Sequence, residues 1–119
     1  MDGRLDSTDQ AWLSINLKDG LFDFLIDTGF SGTLVVGEEV IDTTFLTWLG
    51  ECEAELTAGE SATFQIYKAE IEWLGLWKTM RVYVGPGSEC LLGTEILKPH
   101  RLEIDYSLRT VSLILKSIN

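Results

Sequence analysis

Apolar and polar residues alternate with a period of two along most of this 119-residue chain, and this alternation most restricts its fold. Successive side chains of a β-strand point to opposite faces of a sheet, so the pattern is typical of strands with one buried face. The strands predicted in this way are Ala11–Leu17, Leu21–Ile26, Ser61–Trp73, Trp77–Val84, Leu102–Tyr106 and Thr110–Leu115. We therefore predict a mainly β domain.

Glycine, proline and helical spacing predict the turns and helices between these strands. Lys18–Gly20 and Gly85–Gly87 are typical of turns, because glycine adopts positive φ without a steric penalty. Apolar residues at helical spacing predict a helix over Glu38–Leu49, although its β-branched residues weaken that prediction. A second, shorter helix is predicted over Thr94–Lys98, where Pro99 ends it.

The organisation of the chain indicates a single domain, because no linker, repeat or low-complexity stretch divides it. Hydrophobic residues make up 45% and charged residues 24%, which is ordinary for a globular protein. Residues 11–119 are predicted to form the domain. Residues 1–10 are predicted to be a loosely structured N-terminus, because terminal residues are often poorly ordered.

Charge and composition exclude several classes of partner and site. The net charge of −10 would repel nucleic acid and anionic membranes, and no apolar run approaches the roughly 20 residues of a membrane span. The acidic opening is not a signal peptide, so a cytoplasmic location and two reduced, partly buried thiols, Cys52 and Cys90, are expected. The single histidine, His100, is expected in an exposed loop, and we expect no metal site or cofactor.

The most informative segment is Phe24–Gly32, in which Asp27 directly follows an apolar strand. Burying a carboxylate is costly unless it is hydrogen-bonded, and the following Thr28 and Gly29 offer a hydroxyl and close backbone approach. These residues are compatible with a catalytic aspartate whose carboxylate is oriented by hydrogen bonds. They also fit an Asx-turn in which Asp27 only ends a strand, and the tripeptide alone does not separate the two interpretations.

The flanking residues carry a resemblance to a known family. Ile26-Asp27-Thr28-Gly29-Phe30-Ser31 resembles the active-site signature of aspartic proteases, and Leu91-Leu92-Gly93 before a short helix resembles their second motif. A predicted hairpin, with arms Glu53–Thr57 and Ser61–Trp73, lies between the motifs where the family has its flap. The chain is most similar to the retropepsin-like (clan AA) aspartic proteases of bacteria, from about Trp12 to about Leu115.

The resemblance implies a fold, an activity and a site. The implied fold is an all-β, single-lobe retropepsin-like acid protease barrel with one or two short helices, which acts as a dimer. The implied activity is that of an aspartic endopeptidase, in which Asp27 of each of two identical chains hydrolyses an extended peptide with water, without a cofactor. The implied supporting residues are Thr28, Gly29, Phe30 and Ser31 in the active-site loop, Ala58, Gly59, Glu60 and Ser61 at the flap tip, and Leu91, Leu92 and Gly93 beneath the loop.

Three departures from the family pattern accompany the resemblance. Phe30 stands where the family more often has Ala, Ser or Thr, so no hydroxyl at this position can bond the carboxylate. The flap lacks a glycine-rich tip, and Tyr67 lies too far along its arm to match the flap tyrosine of pepsin. The final hairpin is similar to the end of a pepsin lobe. A catalytically weak or inactive peptide-binding module is therefore an alternative, and an unrelated small β-barrel is a third.

Overall fold

The structure, a computed structural model, describes residues 1–18, 20–44, 46–55 and 59–116. It consists of strands and one short helix, which confirms the mainly β prediction. In chain order the elements are β1 (Asp2–Leu5), β2 (Ala11–Leu17), β3 (Gly20–Ile26), β4 (Leu34–Gly37), β5 (Thr47–Glu55), β6 (Ser61–Trp73), β7 (Leu76–Gly85), β8 (Cys90–Leu92), α1 (Thr94–Leu97), β9 (His100–Asp105) and β10 (Thr110–Leu115). That helix, in the described part of the chain, is too short to cross a membrane.

Six of the strands close into a ring. Going round it, β2 pairs with β3, β3 with β8, β8 with β4, β4 with β7, β7 with β6, and β6 again with β2. Outside this ring β5 extends β6, while β1, β10 and β9 extend β2 in that order. The short strand β8 is parallel to β3 and antiparallel to β4, so it lies between two strands that come much earlier in the chain.

The interior of the ring is the apolar core, and its members are the residues that the period of two selects. Along β2, Leu13, Ile15 and Leu17 are buried, whereas Ser14 and Asn16 are exposed. Among the described residues no polar or charged residue is fully buried. The alternation in the sequence therefore identifies which face of each strand lies inside.

The predicted helix over Glu38–Leu49 is wrong. Glu38–Val40 form a turn, in which the amide of Val40 bonds the carbonyl of Gly37, and β5 begins at Thr47. This strand pairs with β6 from Thr47 to Glu55, with one bulge at Leu49. Pairing with a long neighbouring strand overrides a weak helical pattern that is rich in β-branched residues.

The prediction that residues 1–10 are loosely structured is also wrong, because Asp2–Leu5 form strand β1 between β2 and β10. Beyond this strand, one Asp6 carboxylate oxygen accepts bonds from the amides of Thr8 and Gln10, and the other accepts one from Trp12 Nε1 at 2.7 Å. These bonds favour the ionised form and hold the pKa of Asp6 below its usual range.

His100 is not an exposed loop residue as predicted, because it is half-buried at the start of β9. Trp73 Nε1 donates to His100 Nε2 at 3.2 Å, and the two rings meet edge to face with centroids 5.4 Å apart. His100 Nδ1 is buried without a hydrogen-bond partner among the described residues. Burial disfavours the charged imidazolium, so it lowers the pKa of His100.

Candidate active site

Asp27 lies one residue beyond the end of β3, at the point where β8 runs alongside. Leu25 and Ile26 pair with Leu91 and Leu92 of β8, and the Asp27 amide continues this ladder by donating to the Leu92 carbonyl at 2.9 Å. The two segments that resemble aspartic protease motifs are therefore neighbours in the folded chain. The backbone of the candidate acid is fixed by the second motif.

The carboxylate of Asp27 is held within its own loop. The Gly29 amide donates to Asp27 Oδ1 at 3.0 Å, and the Phe30 amide donates to the Asp27 carbonyl at 3.1 Å. The first of these bonds is the one that an Asx-turn would make, so that local geometry is present. Asp27 itself is half-exposed, and Thr28 and Ser31 are exposed. The carboxylate is thus oriented by the backbone while it remains accessible.

Beneath this loop lies a close-packed support built from Gly93 and the start of α1. The Gly93 amide donates to the Thr33 carbonyl at 2.8 Å, and the amides of Thr94 and Glu95 donate to the carbonyls of Phe30 and Gly32 at 2.8 and 3.1 Å. A Cβ on Gly93 would lie only 2.2 Å from the Gly32 carbonyl oxygen. Only glycine permits this approach, and the resulting bonds make the support more than an isolated turn.

Phe30 packs within the loop. Its ring meets Tyr83 edge to face, with centroids 6.4 Å apart, and it covers Gly32 so closely that a Cβ there would lie 2.4 Å from the ring. Among the described residues, the one hydrogen bond to the Asp27 carboxylate comes from Gly29. No side-chain hydroxyl in that part of the chain bonds this acid, as the phenylalanine at position 30 leads one to expect.

A cavity of about 510 Å³ opens beside Asp27. Its lining is mostly apolar and comes from the end of β3 and the loop of Asp27, from β4 and β8, from the turn after β7 and from the hairpin β5–β6. The lining residues are Leu25, Asp27, Gly29, Phe30, Val35, Ala54, Glu55, Phe64, Pro86, Glu89 and Leu91. An accessible carboxylate in a mainly apolar groove is the arrangement expected of a ligand or active site.

The hairpin β5–β6 occupies the place predicted for a flap, which we call the flap hairpin. Its second arm begins at Ser61 as predicted, and Gly59 adopts a positive φ of 75° at the tip. Of the predicted tip residues Gly59, Glu60 and Ser61 are exposed, and Ala58 lies outside the described residues. The cavity beside Asp27 is lined by the arms of this hairpin, through Ala54, Glu55 and Phe64, and by no described residue of the tip.

Two residues of the groove, Phe64 and Glu89, were not predicted from the sequence. For Glu89 a signal was present, because it lies two residues before Leu91 and so shares its face in a period-two segment. For Phe64 no local signal exists, because its position depends on how the flap hairpin folds over the groove. The described residues contain no group of three or more histidine, cysteine or acidic side chains that could hold a metal ion.

Comparisons with known proteins identify the fold. No protein-family model matches the sequence, and no curated protein sequence matches it. A retropepsin-like aspartic protease from Rickettsia conorii superposes with a TM-score of 0.67 at 18% identity, covering 96% of this chain and 88% of that one. EIAV protease, solved with an inhibitor, superposes with a TM-score of 0.66 at 17% identity, covering 78% and 89%. The chain has the retropepsin-like fold.

Proposed function

We propose that the chain is an aspartic endopeptidase whose active site forms when two copies bring their Asp27 carboxylates together. The proposal joins the retropepsin-like fold to a sequence that has only one Asp-Thr-Gly segment. A site that needs two such acids then requires a second chain, and a two-fold axis through the site is the simplest arrangement that supplies it.

The observation that carries this proposal is the anchoring of Asp27. Its amide bonds Leu92, its carboxylate is oriented by Gly29, and the loop that holds it rests on Gly93 and α1. An acid that served only to end a strand would not need this second support. A preorganised carboxylate that faces an apolar groove is what acid–base chemistry on a bound peptide requires.

The proposed reaction uses one proton shared by the two carboxylates, since like charges so close together cannot both ionise cheaply. The ionised Asp27 takes a proton from water, whose oxygen adds to the peptide carbonyl carbon. The protonated Asp27 of the other copy donates its proton to the carbonyl oxygen. The first Asp27 then gives the proton that it took from water to the amide nitrogen, while the second Asp27 takes back a proton from one hydroxyl of the tetrahedral diol. The C–N bond breaks, giving a carboxylic acid and an amine, and the pair again shares one proton.

The surface near the C-terminal hairpin supports a dimer. Strand β9 pairs only with β10 among the described strands, so it presents an edge that can pair with another chain. Several large apolar side chains in this hairpin and its turn are exposed, and a second chain could cover some of them. These side chains are Tyr106, Leu108, Ile114 and Leu115.

Cleavage of an unfolded protein tests the proposal. Denatured casein should be cut between about pH 4 and about pH 7, and pepstatin should inhibit the cleavage. The variant Asp27→Asn should lose activity by about 10²-fold or more, which is the usual contribution of a general acid or base. Sedimentation at micromolar concentration should give a dimer. Cleavage that survives Asp27→Asn, or a monomer that cleaves, would contradict the mechanism.

A second candidate function is peptide binding without efficient cleavage, and Phe30 is the observation that favours it. The ring fills the loop next to Asp27 and supplies no hydroxyl for the carboxylate. In that case the protein would dimerise and bind extended peptides in the same groove but would fail to cut them. Absence of cleavage together with retained peptide binding distinguishes this candidate from the endopeptidase.

We also propose a cytoplasmic location. Both cysteines are free thiols, with Cys90 buried and Cys52 half-buried, which accords with the prediction of reduced thiols. Disulfides are rare in reducing compartments, so free thiols in a small domain are compatible with the cytoplasm.

A further inference from the structure

We infer that Glu89 makes the groove select a basic side chain, lysine or arginine, close to the bond that is cut. This inference rests on the proposed function of the groove and adds a substrate class to it. It concerns a residue in the turn before β8 that neither of the two active-site motifs includes.

The position of Glu89 follows from the alternation along β8. Cys90 and Leu92 are buried in the core, so Leu91 and Glu89 belong to the opposite face, and both line the cavity beside Asp27. Leu25 pairs with Leu91 across the sheet, and Asp27 lies two residues beyond Leu25 on the same face. Asp27 and Glu89 thus line one groove together with Leu25 and Leu91.

The charge of this groove is uncompensated. Three acidic residues line it, Asp27, Glu55 and Glu89, whereas none of the nine lysine and arginine residues of the chain does. Glu89 makes no ion pair within the residues that the structure describes. A lysine or arginine of a bound peptide could lay its aliphatic stem on the leucines and bring its charge to Glu89.

A neighbouring cavity is lined by two residues that contact a cationic side chain of the chain itself. This cavity, of about 340 Å³, shares Leu25, Glu89 and Leu91 with the first, and Trp12 and Asp23 also line it.

The guanidinium of Arg4 lies 5.3 Å from the centroid of the Trp12 ring and 3.4 Å from Asp23. Arg4 therefore neutralises Asp23. Glu89 lines both cavities and has no cationic partner among the described residues, so it can pair with a cationic ligand.

Two measurements with matched peptides test the inference. The peptides differ at one position next to the scissile bond, with lysine in one and norleucine, which has a similar stem without the charge, in the other. Cleavage is measured with the intact protein, and binding is measured by fluorescence anisotropy with the full-length Asp27→Asn variant. We expect the lysine peptide to be preferred about fivefold in both, since partly exposed ion pairs contribute modestly.

Glu89→Gln should abolish this preference, because it removes the charge that attracts the lysine side chain. Glu53→Gln is the matched control: it removes the same charge from an exposed position on β5 that does not line the groove, so it should leave the preference intact. Raising NaCl from about 0.05 M to about 0.5 M should reduce the preference, since salt screens exposed charges.

The outcomes separate the inference from the proposed function. Cleavage of both peptides at equal rates, or a lysine preference that Glu89→Gln leaves unchanged, would overturn the inference and leave the endopeptidase intact. A lysine preference in binding that Glu89→Gln removes would support the inference even if the intact protein cleaved neither peptide. Failure of both peptides to bind would overturn it.

Discussion

The variant Gly93→Ala adds one methyl group to the support beneath Asp27. The new Cβ would lie 2.2 Å from the Gly32 carbonyl oxygen, 2.6 Å from the Phe30 ring and 2.8 Å from the Phe30 carbonyl oxygen. Two of these three neighbours are backbone atoms, which cannot turn away as a side chain can. The backbone of the Asp27 loop must therefore move.

Whether Gly93→Ala lowers or raises the free energy of unfolding depends on this close contact. Gly93 has a φ of −99°, which alanine adopts freely, so without the collision the substitution would stabilise the protein by about 0.4–1 kcal/mol through the unfolded chain. Overpacking typically costs about 1–3 kcal/mol. The hydrogen bonds from the Gly93, Thr94 and Glu95 amides are also at risk, each at about 1 kcal/mol. We expect a net loss of about 3 kcal/mol in the free energy of unfolding.

Urea unfolding followed by tryptophan fluorescence measures this loss, at one fixed protein concentration because the stability of the proposed dimer would depend on that concentration. Gly75→Ala is the control. Its Cβ would meet nothing within 4 Å, so only the positive φ of 83° should cost about 1–2 kcal/mol. A Gly93→Ala protein as stable as the parent, with an unchanged dependence on urea, would refute the close packing beneath the loop.

Three further predictions concern residues around the site and the core. Phe30→Thr should raise kcat several-fold by offering Asp27 a hydroxyl, and it should lower stability by about 1 kcal/mol because the contact with Tyr83 is lost. Phe30→Val, in which valine has the shape of threonine without the hydroxyl, should lower stability and leave kcat unchanged. Equal kcat values for the two variants would contradict this role of the hydroxyl. Burial lowers the pKa of His100 from its ordinary 6.5, so the unfolded chain binds its proton more readily. The stability that neutral His100 contributes should therefore be complete above about pH 6.5 and decrease as the pH falls below it. Melting curves from about pH 8 to about pH 5 should show this decrease in the parent and not in His100→Gln. Hydrogen bonds from Leu108 and Ser107 lower the pKa of Asp105 below its ordinary 3.8. Protonation of Asp105 at lower pH should therefore reduce the melting temperature, and Asp105→Asn should remove this part of the acid dependence.

The sequence predicted the strands well because their signal is local. β2, β6 and β10 have the predicted bounds, and the bounds of β3 and β7 lie within one residue of the predicted ones. The alternation of side chains is a property of each segment by itself, and no distant contact is needed to interpret it.

The errors fall where distant parts of the chain decide the structure. Glu38–Leu49 has a weak helical pattern, but its last residues, from Thr47, form a strand because they pair with β6. Asp2–Leu5 are mostly polar, and they become a strand because β2 and β10 flank them. His100 is half-buried because Trp73, far earlier in the chain, lies against it.

Some residues of the candidate site were predictable from local sequence, and others depend on distant parts of the chain. Asp27, Gly29 and the Leu91–Gly93 segment were recognisable from their sequence, and the structure brings them together. The roles of Thr28 and of the flap tip stay predictions, because they concern a second copy and a bound peptide. The contributions of Phe64 and Glu89 to the groove required knowledge of which sheet faces meet.

The insertion of β8 between β3 and β4 also has a consequence for biosynthesis. During translation the Asp27 segment leaves the ribosome long before its partner Leu92 has been made, so at first the acid has nothing to rest on. Contacts between such distant residues form late because closing a long loop costs entropy. The growing chain therefore carries an Asp27 loop without its support until the Leu91–Gly93 segment has been made and has reached it.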